Sequence, residues 1–140
     1  MKQIPVIFWT GTGNTQMMAD AIAEAINAAG AEAVVKNVSE ISADEAAGYD
    51  ALALGCPAMG AEVLEECEFE PFFTELEDKL AGKKVALFGS YGWGGTYMQD
   101  WEARVKDAGV ELVADGVLAL GAPDDEAMAK LAEAGKLLAE

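Results

Sequence analysis

The sequence predicts an α/β fold in which a doubly wound, five-stranded parallel sheet carries helices on both faces. Apolar runs of strand length alternate with segments whose apolar residues recur at helical spacing, and the connections between them are short. Right-handed crossovers between parallel strands place such helices on both faces of an open sheet. With 140 residues, 52% of them hydrophobic, the chain can bury one core. We therefore expect residues 1–140 to form a single domain.

Three strands are expected in the first half of the chain. The apolar run from Ile4 to Trp9 predicts the first, and Pro5 marks its expected start because proline has no N–H for a strand ladder. A second strand is predicted over residues 32–38, followed by a helical turn that Ser42 caps through a Ser-x-x-Glu pattern. The third strand, residues 50–56, is almost continuously apolar, which is typical of a strand covered by helices on both faces.

Two more strands are expected in the second half. Apolar spacing from Phe69 predicts a helix, and residues 83–89 predict the fourth strand. A second helical stripe begins at Met98, residues 110–120 predict an uninterrupted fifth strand, and Asp124 is the expected cap of the last helix. No internal repeat or linker interrupts this alternation, which agrees with one domain.

The charge balance and the absence of histidine exclude several classes of function. Nine Lys and Arg against 25 Asp and Glu give a net charge of -16, which repels nucleic acids and anionic membrane surfaces and favours basic partners. Without histidine there is no Ser-His-Asp or Cys-His catalysis and no imidazole metal site. The longest apolar runs are far shorter than the ~20 residues of a membrane helix. We therefore expect no nucleic-acid binding, no membrane binding and no metal site.

The two cysteines, Cys56 and Cys67, are too few for a disulfide framework or a cysteine-ligated cluster. Together with the lack of a signal-peptide pattern, this favours a cytoplasmic location. Neither cysteine has a basic neighbour that would lower the pKa of its thiol. We expect both to be buried, unreactive side chains.

The loop between the first strand and the first helix is predicted to bind one phosphate group. Backbone N–H groups, the helix N-terminus and several hydroxyl and amide groups converge there. The loop has no lysine, as a P-loop NTPase would need, and Gln16 stands where the dinucleotide fingerprint requires its third glycine. The alternative is a tight turn followed by an ordinary helix cap. The predicted phosphate nest consists of Thr10, Gly11, Thr12, Gly13, Asn14 and Thr15.

The loops after the third and fourth strands are suited to holding a flat heteroaromatic ring. Met59 on one loop and Trp93 on the other could cover its two faces, and the glycines let backbone approach its edge. The alternatives are core filling for Met59, and an apolar lid or partner contact for Trp93. The predicted ring-binding residues are Pro57, Ala58, Met59, Gly60, Ala61 and Glu62 on the first loop, and Ser90, Tyr91, Gly92, Trp93 and Gly94 on the second.

These three loops, T-G-T-G-N-T, G-C-P-A-M-G-A-E and L-F-G-S-Y-G-W-G, resemble the FMN loops of short-chain flavodoxins. The resemblance covers essentially the whole chain and is greatest to the subgroup with methionine and tryptophan on the two flavin faces. It implies FMN as cofactor and the strand order 2-1-3-4-5, for which flavodoxin is a standard example. It also implies the short-chain form, since residues 110–120 show no insertion.

The resemblance further implies a role for individual residues. Residues 10–15 bind the FMN phosphate, Met59 covers the inner flavin face, Trp93 covers the outer face, and Glu62 accepts a hydrogen bond from flavin N3–H. Gly60 acts as a switch, because the peptide that follows it turns its carbonyl toward flavin N5 on reduction. The loop after Trp93 is one residue shorter than usual in the family, so we expect a differently shaped outer face.

The predicted function is that of a low-potential, one-electron carrier, monomeric and not an enzyme, with non-covalently bound FMN. Its expected partners are basic-surfaced redox proteins: a reductase or ferredoxin-type donor and an acceptor oxidoreductase. The acidic run from Glu62 to Glu70 is expected to be a solvated face, or alternatively the docking surface for such a partner. One rival is an FMN-dependent NAD(P)H:quinone reductase, which Trp93 and the lack of arginines other than Arg104 disfavour; another is a binding module without flavin.

Overall fold

The computed structural model describes residues 2–9, 13–57, 67–91 and 97–140. Within these ranges, all the strands belong to one parallel sheet. Their bounds are β1 Gln3–Phe8, β2 Glu32–Asn37, β3 Ala51–Gly55, β4 Lys84–Tyr91, β5 Glu111–Leu112 and β6 Val117–Leu120.

The helices alternate with these strands, as the sequence predicts. They are α1 Asn14–Ala28, α2 Ala43–Ala46, α3 Phe69–Glu77, α4 Tyr97–Asp107 and α5 Asp125–Ala139, with a 3-10 turn at Val38–Glu40. The predicted caps are confirmed, since the Ser42 side chain accepts from Glu45 N–H and the Asp124 side chain from Ala127 N–H. None of the helices in the described ranges is long and apolar enough to cross a membrane.

The sheet has the order β2-β1-β3-β4-β5, and β6 also pairs with β4. The predicted strand order is therefore confirmed, with the fifth strand in two pieces. The chain passes from β1 outward to β2 and returns across β1 to β3, so the order reverses between β1 and β3. In doubly wound sheets, ligands bind outside the carboxyl ends of the strands at such a reversal.

Two hydrophobic layers cover the sheet. Along β1, Ile7 packs with residues of α2, α3 and α4, whereas Val6 and Phe8 on the opposite face pack with residues of α1 and α5. In the first layer Trp101 meets Phe69 and Phe73 edge-on, with ring centroids 5.5 and 5.9 Å apart. Both faces are closed by helices, so the open positions of the fold are the ends of the strands.

Pro5 does not mark the start of the first strand. It lies inside β1, opposite Val34 of β2, and is buried. The pairing of β1 with β3 begins one residue later, at Val6 and Ala53. The missing N–H of Pro5 therefore falls where the β1–β3 ladder has not yet begun, and the strand tolerates it.

The predicted uninterrupted strand over residues 110–120 is also wrong. Leu112 is paired with Val85, and Val117 is paired with Phe88. Between these pairs β4 has two residues and the edge strand has four, so the edge strand carries two extra residues as a bulge. The hydrophobic pattern could not reveal it because both pieces remain apolar on the covered face.

A carboxylate from α4 stabilises this bulge. Glu102 accepts a hydrogen bond of 2.7 Å from the N–H of Gly116, and Val113 N–H donates to the carbonyl of Val85 at 3.1 Å. The Val113 N–H thus continues the ladder to β4 by one bond, and the Gly116 N–H, at the other end of the bulge, is satisfied by a side chain instead. The bulge interrupts the outer edge of the sheet, which makes that edge a poor template for pairing with other chains.

The expectation that both cysteines are buried is confirmed for Cys56 and wrong for Cys67. Cys56 is fully buried and Cys67 is exposed. Cys67 lies in the turn before α3, and from that turn Phe69 rather than Cys67 enters the core. Both thiols are free of disulfides.

Candidate functional site

The carboxyl ends of β1 and β3 meet beside the start of α1. After β1, Trp9 N–H continues the ladder by donating to the carbonyl of Gly55, at 3.0 Å. The indole N–H of Trp9 donates to Glu68 just before α3, at 3.1 Å. The end of β1 is thereby attached both to β3 and to the segment that closes the loop after β3.

The first turn of α1 has features that suit a bound anion. Its N-cap, Gly13, has φ +94°, a left-handed conformation that glycine adopts readily. Its first turn has no acidic residue, and the N-cap itself supplies no capping side chain, whereas α2, α3, α4 and α5 each carry an acidic residue in their first turns. An unneutralised helix N-terminus offers several N–H donors and a positive end of the helix dipole to a bound anion.

The Thr15 hydroxyl is the most specific feature of this turn. Thr15 is 1% exposed, and its Oγ1 has no hydrogen-bond partner among the residues that the structure describes. The other such atom in those residues is Trp101 Nε1, inside the aromatic cluster. A buried hydroxyl without a partner costs about 1–3 kcal/mol. A phosphate oxygen at the start of α1 would remove that cost, so the residues present here fit the phosphate of FMN.

The ends of β3 and β4 form the second part of the site. Cys56 N–H still donates to Phe88 O at 3.0 Å, whereas its carbonyl accepts a buried hydrogen bond of 2.8 Å from the Tyr97 hydroxyl. Gly89 makes this possible, because a Cβ there would overlap both the carbonyl of Cys56 and the hydroxyl of Tyr97. Tyr97 begins α4, so this contact joins the two segments that border the predicted ring-binding loops.

The carboxyl end of β4 is braced by the edge strand. Ser90 is buried, Tyr91 is half-buried, and Tyr91 is paired with Leu120 of β6. Gly121 N–H then donates to Tyr91 O at 2.9 Å. The carboxyl end of β4 is therefore held by β6 and by the backbone that follows it.

The structure brings the described site residues to one edge of the sheet. Gly13, Asn14 and Thr15 follow β1, Pro57 follows β3, and Ser90 and Tyr91 end β4. The remaining predicted site residues lie outside the described residues: Thr10, Gly11, Thr12, Ala58, Met59, Gly60, Ala61, Glu62, Gly92, Trp93 and Gly94. Their roles stay predictions.

The contact of Tyr97 with the Cys56 carbonyl, and the space that Gly89 leaves for it, are not evident in the sequence. The helical stripe was read from Met98, one residue after Tyr97, although both are buried on the same helix. Gly89 lies in the predicted FMN loop L-F-G-S-Y-G-W-G, but that pattern does not indicate that its missing side chain makes room for the Tyr97 hydroxyl. A glycine followed eight residues later by a tyrosine is not a recognisable pattern, since the contact depends on how α4 returns to the sheet.

One acidic residue of the predicted solvated face has a different role. Glu70 accepts two hydrogen bonds from Arg104, at 2.7 and 3.0 Å, and one from Thr74 at 2.8 Å. Burial alone would raise the pKa of Glu70, but the bonds from Arg104 and Thr74 and the charge of Arg104 outweigh it and lower that pKa below its ordinary value. Glu70 is therefore part of an ion pair, and the expectation of a purely solvated face is wrong for it.

Arg104 is committed to the α3–α4 interface. Besides Glu70 it contacts both carboxylate oxygens of Glu77, at 3.1 and 3.2 Å. Its guanidinium carbon lies 4.7 Å from the centre of the Phe73 ring. Hydrogen bonding to Glu70 raises the pKa of Arg104 above its ordinary value, against the effect of burial. The chain's single arginine is thus unavailable for the phosphates of a nicotinamide nucleotide.

Comparison with known proteins agrees with this geometry. The family model described as flavodoxin matches residues 6–135. A flavodoxin of Clostridium beijerinckii is 48% identical over 135 residues, covering 96% of this chain and 97% of its own length. A flavodoxin of Megasphaera elsdenii is 46% identical over 116 residues, covering 82% of this chain and 85% of its own length. The solution structure of two-electron reduced Megasphaera elsdenii flavodoxin superposes with a TM-score of 0.90 at 42% identity, covering 97% of this chain and 98% of that one.

Proposed function

This chain belongs to the flavodoxin family, and from that premise we propose that it is a low-potential, one-electron carrier with one non-covalently bound FMN. It is an FMN-binding electron-transfer protein and not an enzyme. Bound FMN supplies the redox chemistry by accepting and releasing electrons. The residues of the chain bind and orient the flavin, exclude water and set the electrostatic environment.

The observation that carries this proposal is the buried Thr15 hydroxyl in the first turn of α1. We assign residues 10–15 to the phosphate of FMN, with Thr15 and the N–H groups of the turn as hydrogen-bond donors. No basic side chain occurs between Lys2 and Lys36, so oriented dipoles must replace the hydration of the phosphate. The acid-free first turn of α1 supports the same assignment.

We assign the flavin ring to the loops that follow β3 and β4. In this assignment Met59 and Trp93 cover the two faces, and Glu62 accepts a hydrogen bond at the ring edge. The peptide after Gly60 presents its carbonyl to the ring. The position of Pro57 and Tyr91 at the carboxyl edge, beside the strand reversal, supports this placement.

The charge of the chain favours low potentials. Sixteen net negative charges oppose the addition of electrons to the flavin. Taken at a mean distance of ~13 Å with an effective dielectric constant of ~60 and Debye screening, they contribute roughly 1–2 kcal/mol, on the order of 60 mV for one electron. Any larger lowering of the potential must come from the removal of water around the flavin ring and from hydrogen bonds to it.

We further propose that the carrier is monomeric and cytoplasmic and docks with basic-surfaced redox proteins. The outer edge of β2 supports a monomer, because side chains cap the outward N–H groups at the two ends of the strand. Asn27 accepts from Ala33 N–H at 2.9 Å, and Glu40 accepts from Asn37 N–H at 2.7 Å. An edge capped in this way gives little opportunity for pairing with a second copy. The acidic charge supports the choice of basic partners.

A reduction assay tests the function directly. The purified protein should show the visible absorption of a flavin, and NADPH alone should leave that absorption unchanged. Addition of a catalytic amount of a flavodoxin reductase should then bleach it. Rapid bleaching by NADPH alone would favour the quinone reductase. Arg104 argues against that function, because its guanidinium is already bound to Glu70 and Glu77. A colourless protein that gains no flavin from added FMN would overturn the proposal.

A further inference from the structure

The Tyr97 hydroxyl forms a contact that neither the family match nor the sequence pattern assigns. It donates a hydrogen bond of 2.8 Å to the carbonyl of Cys56, and both residues are buried. Cys56 is the first residue after β3, and Pro57 follows it. The hydrogen bond therefore fixes the point at which the chain leaves the sheet for the first ring-binding loop.

The backbone is shaped to admit this hydroxyl. Gly89 of β4 leaves open the space between β4 and the Cys56 carbonyl, which a Cβ would fill. Phe88, its neighbour, is paired with Gly55, the last residue of β3. The tyrosine side chain thus closes the junction where the β3–β4 ladder ends, and it does so from α4, which follows the second ring-binding loop.

The Tyr97 hydroxyl is a neutral phenol that donates its proton to this hydrogen bond. Burial, with a smaller contribution from Cys56, raises the pKa of Tyr97 far above its ordinary value. A buried phenol that donates to a buried carbonyl satisfies both polar groups, and its loss leaves the carbonyl without this partner. The contact is therefore a permanent attachment and not a titrating switch.

We propose that Tyr97 is a positioning residue for the flavin ring, which it serves by attaching the start of the loop after β3 to the start of α4. The inference rests on the proposed function, since it assumes that the ring lies between these two loops. Tyr97 acts on the ring part of the ligand only. The phosphate is assigned to the turn before α1, which does not include this contact.

Two ligands and matched variants test the inference. Tyr97→Phe removes the hydroxyl oxygen and keeps the aromatic side chain. Tyr49→Phe makes the same change at the amino ends of the strands, just before β3. Each folded apoprotein is titrated with riboflavin and with FMN by quenching of flavin fluorescence. Tyr97→Phe should raise the dissociation constants of both ligands by the same factor, about tenfold for one buried hydrogen bond. Tyr49→Phe should change neither.

A spectroscopic readout separates positioning from stability. The visible circular dichroism of bound flavin reports the surroundings of the ring, and it should change in Tyr97→Phe but not in Tyr49→Phe. Gly89→Ala, whose methyl group overlaps the same hydroxyl, is a second variant that should reproduce the pattern. Lower thermal stability with unchanged dissociation constants and an unchanged flavin spectrum would overturn the inference. Failure of the unaltered chain to bind either flavin would instead overturn the proposed function.

Discussion

Arg104 and Glu70 are joined by two hydrogen bonds, of 2.7 and 3.0 Å, that connect α4 to α3 across the outside of the aromatic cluster. Their side chains are 32% and 35% exposed. A bidentate arginine–carboxylate pair with fixed geometry is stronger than a single exposed ion pair. The pair holds together the two helices that flank the predicted ring-binding loops.

Glu70→Gln should therefore lower the free energy of unfolding at neutral pH, by roughly 1 kcal/mol for a partly exposed pair. Because the pKa of Glu70 is lowered on folding, the unfolded chain binds the proton more readily. The contribution of the pair is fully present above the ordinary pKa of 4.5 and is lost as the pH falls through the lowered value. Urea unfolding of both proteins from pH 7 to pH 3 measures the difference.

The control for this experiment is Glu126→Gln. Glu126 pairs with Lys130 at 3.3 Å on the exposed face of α5. Its substitution by glutamine removes one negative charge, as Glu70→Gln does. Its effect on stability should be about 0.3–0.5 kcal/mol or less. Equal effects of the two substitutions at neutral pH, or an effect of Glu70→Gln that grows as the pH falls, would contradict the role of the Arg104–Glu70 pair.

The helices were predictable from sequence because they depend on local spacing, whereas the strand order was predictable only through the resemblance to flavodoxins. Ser42 and Asp124 cap their helices as the pattern indicates. The alternation of strand and helix predicts a doubly wound parallel sheet, and the resemblance supplies its order, β2-β1-β3-β4 followed by the fifth strand. The two-residue bulge before Gly116 was not predictable. It depends on Glu102, which is distant in sequence and reaches Gly116 only when α4 is packed on the sheet.

Thr15→Val should weaken FMN binding and leave riboflavin binding unchanged. The substitution keeps the shape of the side chain and removes the buried hydroxyl, so one charge-assisted hydrogen bond to phosphate is lost, about 1.5–3 kcal/mol of affinity. Thr74→Val, on the exposed face of α3, is the matched control. Titration of each apoprotein with both flavins checks this, and an equal loss for the two ligands would place Thr15 away from the phosphate.

Electron transfer to a basic partner should slow as the ionic strength rises. The net charge of -16 attracts such a partner over the Debye length, which shortens from ~30 Å at 0.01 M to ~8 Å at 0.15 M salt. Stopped-flow measurement of the second-order rate constant over this range should show a several-fold decrease. A rate constant independent of salt would remove the proposed contribution of the acidic surface to docking.

Gly60→Val should change the two one-electron midpoint potentials in opposite directions. If the peptide after Gly60 turns toward the flavin on reduction, a β-branched side chain hinders that turn by about 1–3 kcal/mol, or roughly 40–130 mV. The first midpoint should fall and the second should rise, while oxidised FMN binds almost as before. Spectroelectrochemical titration measures both midpoints, and two unchanged values would show that Gly60 is only a turn residue.

A site is predictable from sequence where one short segment supplies it and not where distant segments meet. The sequence can propose a phosphate nest at residues 10–15 because these residues are contiguous, and the nest stays a prediction. The junction of Tyr97 and Cys56 joins residues 41 positions apart, and Gly89 contributes only the absence of a side chain. Likewise, the acidic run could not show that Glu70 would meet the single arginine.

The affinity of the unaltered apoprotein for FMN compared with riboflavin tests the central claim most directly, because the two ligands share the ring and differ in the phosphate. Fluorescence titration should give one FMN per chain and a dissociation constant for riboflavin larger by a factor on the order of 100 or more, as expected for the loss of several charge-assisted hydrogen bonds. Equal affinity for the two flavins would contradict the assignment of the α1 turn and its buried Thr15 hydroxyl to the phosphate of FMN.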